Sequence, residues 1–169
     1  MKSFSVSVLF FLAFAIFETA VLSNILIIPA IPDFLLICSI YFSIQNGRLF
    51  GVSSGFVSGL FLDFLGSGPF GLNCLLRTII GYAAGFFAKT LNINGLFFPL
   101  ILGFSGTLLK SLLLWFISMF FPNVPTSISG FFSFRFIIEL ILNSVLTPIT
   151  FKFLDIFKNA LVLNPEKVS

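Results

Sequence analysis

Apolar residues run along this chain in long blocks, separated by short clusters of proline, glycine, asparagine and charge. Six blocks have helical length, at about 4–22, 32–46, 49–65, 71–88, 96–120 and 131–153. The first follows Lys2 but is longer than a signal-peptide core and is followed by more spans, so it reads as a span. Pro29 and Pro32 interrupt the chain before the second block, and Pro32 suits a helix start. That second span is then short, about 14 residues or ~21 Å. Residues 25–31 are expected as a half-helix or cap. Pro148 is expected to kink the last span near Ser144.

Within the third block Gly47, Gly51, Gly55 and Gly59 recur every fourth residue, and Asp63 falls next in the series. Glycines at that spacing make a smooth ridge against which another helix can pack closely in lipid. Each step of four drifts by roughly 40° around the helix, so the ridge is inclined and suits a crossing partner. Gly81 and Gly85 in the fourth span, and more weakly Gly103 with Thr107 in the fifth, are candidate mates. The exposed part of the ridge, or the face of the first span, is a candidate dock for another protein's span.

Composition agrees with this pattern. Of 169 residues, 58% are hydrophobic and 9% charged, and mean hydropathy is +1.15. Soluble domains carry roughly 25% charged residues, so this is an integral membrane protein. One six-span domain over 1–157 and a short cytoplasmic tail over 158–169 are expected. The net charge of +3 is no sign of nucleic-acid binding, because six of the cations lie at span ends and in the tail. Connections near 23–31, 66–70 and 121–130 lack Lys and Arg, whereas Arg48, Lys89 and the termini carry them. Cations favour the cytoplasmic side, so both termini are expected there.

That orientation brings most of the intramembrane charge to the outer half of the bundle: Glu18, Asp33, Asp63, Arg77, Lys110, Arg135 and Glu139. Isolated, each would cost several kcal/mol in lipid; facing one another they are tolerable. Asp63 is expected to meet Arg77 or Lys110, and Glu139 to meet Arg135 or Lys110. Such a cluster either clamps the bundle or lines a polar cavity opening outward.

Other patterns lead nowhere chemical. Gly51–Gly55 matches G-x-S-x-G, but the chain has no His to serve as base, and Lys110 lies about 15 Å away in depth. Gly66–Gly71 matches G-x-G-x-x-G, yet it follows a span rather than a strand, and Pro69 removes a donor; it reads as a tight turn. There is no phosphate-binding lysine motif. Cys38 and Cys74 lie in apolar runs and read as small buried residues. No catalytic residue, cofactor or metal is expected.

An ordered set of residues resembles the rod shape-determining protein MreD family. It comprises Pro32-Asp33-Phe34-Leu35-Leu36, Tyr41, Gly47, Gly51, Gly55-Phe56, Gly59-Leu60, Asp63, Gly71-Leu72, Gly81-Tyr82 and Gly85, and spans about residues 30–87. Arg77, Lys110, Arg135 and Glu139 receive no role from it. The resemblance implies a six-span fold like the substrate-binding S components of energy-coupling-factor transporters. It also implies a non-enzymatic inner-membrane scaffold of the bacterial elongation machinery. Its implied partners are MreC, the MreB filament, and the RodA glycosyltransferase with its penicillin-binding transpeptidase. The rival reading is a vitamin-binding S component. Against it, the outer loops are poor in recognition residues, and Ala13, Ala15 and Ala20 miss the alanine spacing of a transporter contact.

Overall fold

A computed structural model describes residues 2–21, 30–66, 68–88, 95–121 and 133–162. Among these residues all regular structure is helical. The order is α1 (Lys2–Ile16) running into a π-helical turn (Phe17–Val21), α2 (Phe34–Asn46), α3 (Arg48–Leu65), α4 (Leu72–Phe86), α5 (Phe97–Phe120), α6 (Phe134–Ile156) and the short α7 (Lys158–Leu161). Three helices, α3, α5 and α6, are long and apolar enough to cross a bilayer; 4–20, 34–46 and 72–86 are shorter apolar helices. The expected half-helix at 25–31 falls almost wholly outside the described residues.

The bundle is arranged around α2. Asp33 caps its N-terminus by accepting the Leu36 N–H at 2.9 Å, so Pro32 lies one residue outside the cap rather than at the first helical position. Gly47, at φ +93°, ends α2 and opens α3; its N–H donates to the Ser43 carbonyl. Residues 35–44 are buried without exception, the mark of a helix surrounded by protein on every side. Helices α1, α3, α4, α5 and α6 all contact it. Aromatic edges fill its flanks: Phe42 meets Phe11 at 5.2 Å between centroids, and Tyr41 meets Phe151 at 5.1 Å. Such close packing replaces the hydrophobic drive that lipid does not supply.

Helices α3 and α4 form the most extensive pair, and α5 leans chiefly on α6. Helix α5 is the most peripheral of the long helices; Pro99, Gly103, Gly106 and Thr107 are its buried residues. Helix α6 continues through Pro148, with Ser144 donating its hydroxyl to the Leu140 carbonyl. The segment after Phe157, expected as a solvated tail, first folds back. Leu161 of α7 is fully buried, and its carbonyl accepts from Asn46 Nδ2 at 3.2 Å.

Candidate functional site

Two assemblies hold the polar and small residues singled out by the sequence. The first is the seam between α3 and α4. A Cβ at Gly51 would overlap the Gly81 carbonyl, and one at Gly81 would overlap the Gly51 carbonyl. A Cβ at Gly55 would strike the Arg77 carbonyl, and at Gly59 the Asn73 and Cys74 backbone, at 2.5 Å. Gly85 lies against the backbone of Arg48 and Gly47, where a Cβ would come within 2.6 Å of Arg48 Cα. Glycine is therefore required along the whole contact, because two backbones touch there. Gly47 is glycine for another reason: a Cβ on it would meet nothing within 4 Å, but its positive φ makes the turn between α2 and α3. The ridge from Gly51 to Gly59 packs inside the molecule, against the backbone of α4. Gly81 and Gly85 are its mates, as expected. Gly103 is not: a Cβ there would meet Thr147 and the Asn143 carbonyl of α6.

Asp63, at the end of the seam, does not join the cations. Its carboxylate accepts from Gly71 N–H at 3.0 Å, Asn73 N–H at 3.1 Å, Asn73 Nδ2 at 2.9 Å and Cys74 N–H at 3.1 Å. Helix α4 has no side-chain cap of its own, since Gly71 stands at its N-cap. Asp63 supplies that cap from α3, satisfying free N–H groups and placing negative charge at the positive end of the helix dipole. The expected pairing with Arg77 or Lys110 is thus replaced by a helix cap. The spacing from Asp63 to Asn73, bridged by one tight turn, brings the carboxylate there first.

The second assembly is a chain of buried ions across four helices. Arg77 Nη2 of α4 is 2.5 Å from Asp33 Oδ1. Lys110 Nζ of α5 is 2.8 Å from Asp33 Oδ2 and 2.8 Å from Glu139 Oε1 of α6. Asp33 and Arg77 are nearly inaccessible, at 4% and 3% side-chain exposure, whereas Lys110 and Glu139 keep 22% and 25%. Asn143 ties the same helices by neutral bonds. Its Oδ1 accepts the Asp33 N–H at 2.8 Å, and its Nδ2 donates to Thr107 Oγ1 at 3.0 Å.

Glu18, in the π-helical turn, lies within electrostatic reach of Asp33, Arg77 and Lys110. Its Oε2 and Arg77 Nη1 are both buried without a hydrogen-bond partner. Two cations face two anions along the chain of contacts, and Glu18 adds a third acid beside them.

A family model described as "rod shape-determining protein MreD" matches residues 2–157. The chain belongs to the MreD family. No curated protein and no solved structure matches it. It is accordingly a rod-shape-determining membrane protein.

In this MreD-family chain the expected charge cluster forms around Asp33 with Glu18, Arg77, Lys110 and Glu139; Asp63 stands apart. Glu139 meets Lys110, one of its two expected partners. Arg135 lies one turn before Glu139 on α6 and is exposed. Among the described residues no group of three or more His, Cys, Asp or Glu could hold a metal. Cys38 and Cys74 are free and buried. The Ser53 hydroxyl is taken by the Leu49 and Phe50 carbonyls of its own helix, and Lys110 by two carboxylates. Neither is poised as a nucleophile and base.

Sequence reasoning missed Asn143 and the bond from Tyr41 Oη to Asp155 Oδ1, 2.7 Å, which ties α2 to α6. The signal for Asn143 was present. It is an amide in an apolar run, one turn beyond Glu139, and four residues before Thr147, whose hydroxyl donates to its carbonyl.

Proposed function

We propose that this chain is a non-enzymatic scaffold of the bacterial elongation machinery in the inner membrane. In this reading it crosses the bilayer six times, with both termini cytoplasmic. It binds the span of MreC and links the MreB filament to peptidoglycan synthesis by RodA and its penicillin-binding transpeptidase. The observation that carries this reading is the MreD family match over residues 2–157.

The geometry is compatible with it. A glycine seam and a buried ion chain give a stiff block, and a stiff block can hold other spans at fixed positions. With the seam occupied internally, the dock for MreC moves to an uncovered flank. Leu9, Leu12 and Ile16 of α1, at 67%, 41% and 51% exposure, form one uncovered stripe at helical spacing.

The test is affinity capture of the tagged chain from native membranes, with identification of co-purifying proteins and small molecules. MreC and MreB should be recovered, and Leu9→Ser/Ile16→Ser should lower MreC recovery while leaving the bundle folded. Recovery of an energy-coupling ATPase and a bound vitamin would favour the S-component reading instead. The two unpartnered atoms, Glu18 Oε2 and Arg77 Nη1, are the specific observation on the side of that alternative.

A further inference from the structure

A groove of about 460 Å³ runs between α1 and α6. It is lined by Phe10 and Ala13 of α1, Phe17 of the π-helical turn, Ile149 and Phe153 of α6, and Phe34 of α2, which packs on Phe17. The lining presents almost no polar group. Thr150 borders it, but its hydroxyl is bonded to the Leu146 carbonyl. The groove extends along two turns of α1, from Phe10 to Phe17, or about 10 Å. Its volume lies within the roughly 300–1,000 Å³ typical of small-molecule sites.

The ends of the groove differ in charge. At the Phe10–Phe153 end, Phe157 packs on both rings, at 5.3 Å and 5.7 Å between centroids. Lys158 follows Phe157 in sequence, and Lys152 lies one helical step beyond Ile149 on α6. Both lysines are exposed. Asp155, the acid between them in sequence, is engaged by the Tyr41 hydroxyl. Two exposed lysines thus adjoin in sequence Phe153 and Phe157, the residues that pack at that end of the apolar slot.

We propose that this groove holds one acyl chain of an anionic phospholipid, with the phosphate headgroup beside Lys152 and Lys158. The apolar slot selects the tail, and the lysines select headgroup charge. The bound lipid fills a gap between helices that do not close on each other and so becomes part of the bundle's packing.

The test reconstitutes the full chain in nanodiscs of equal parts palmitoyl-oleoyl phosphatidylglycerol and phosphatidylcholine. Lipids retained after gentle release are then counted by native mass spectrometry. One phosphatidylglycerol should remain on the wild-type chain. Ala13→Phe and Ile149→Trp fill the groove from opposite walls, and each should abolish retention at unchanged thermal midpoint. Lys152→Gln/Lys158→Gln should keep one lipid but lower the preference for phosphatidylglycerol by up to about 30-fold. Retention undiminished in both filled variants would overturn the proposal. So would equal retention of the two lipids by the wild type, or a photo-crosslinker at position 149 that traps a protein chain in native membranes.

Discussion

Arg77 and Asp33 form the most deeply buried contact between charges in the ion chain: Arg77 Nη2 lies 2.5 Å from Asp33 Oδ1, with both side chains inaccessible. The other oxygen of the same carboxylate holds Lys110. Removing it strands two cations, and breaking a buried pair from one side costs about 3–5 kcal/mol. Asp33→Ala should therefore lower the midpoint of thermal unfolding in detergent by many degrees. Cys38 and Cys74 are free and buried, so a thiol-reactive dye reports the transition directly. Combining Asp33→Ala with Arg77→Met should recover part of the loss. Strict additivity would mean that the two residues do not interact.

Asp63 makes a different prediction. As the cap of α4 it should contribute about 1–2 kcal/mol, the range of a capping side chain aided by the helix dipole. Asp63→Ala should lose that amount, and Asp63→Asn less, because the amide oxygen still accepts. Faster hydrogen exchange confined to the first turn of α4 is the local signature to look for. Exchange that rises instead around Lys110 would contradict the capping role.

The seam predicts that the smallest possible enlargement is harmful. Gly51→Ala or Gly81→Ala puts a methyl into the carbonyl of the facing helix, and overpacking of that kind costs about 1–3 kcal/mol. Gly68→Ala, where a Cβ meets nothing within 4 Å, should be nearly silent and serves as control. Because the seam is internal, recovery of MreC, the proposed partner, should fall only as far as folded protein falls. Loss of capture from a fully folded Gly55→Ala chain would restore the ridge as a dock.

Tyr41→Phe removes one hydroxyl and leaves the core ring in place. A hydroxyl donating to a carboxylate makes one of the stronger hydrogen bonds, about 1.5–3 kcal/mol, so a loss in that range is expected. Asp155→Asn should lose less, and the double variant no more than Tyr41→Phe alone. Unequal thermal midpoints between the double variant and Tyr41→Phe would show that Asp155 has a second role.

Much of this was legible because lipid leaves few options. Glycines four apart in an apolar run have one use, and the run from Gly51 to Gly59 finds the backbone of α4 at each step. Charges embedded among apolar residues must find each other, and five of the seven named did so around Asp33. What spacing could not decide was competition for a carboxylate. Asp63 is drawn to free N–H groups a single turn away, a local contact that outranks distant cations. Asp33, by contrast, caps its own helix with one oxygen and still holds two cations, which no linear pattern reveals. The fate of Leu161 was also hidden, because a single buried leucine after a charged residue looks like any other tail.

Helix α4 is only 15 residues long, and Leu75, Ile79, Tyr82 and Phe86 on its outer side are exposed. In the proposed six-crossing arrangement it would reach about 22 Å against a hydrocarbon layer of about 30 Å. Acyl tails bordering that flank must shorten or bend to meet it, so the protein carries a shallow dimple in the bilayer along one side. Thermal stability that peaks in short-tailed lipids would reveal the dimple. Neighbouring proteins with similarly short spans would gather along it without any direct contact.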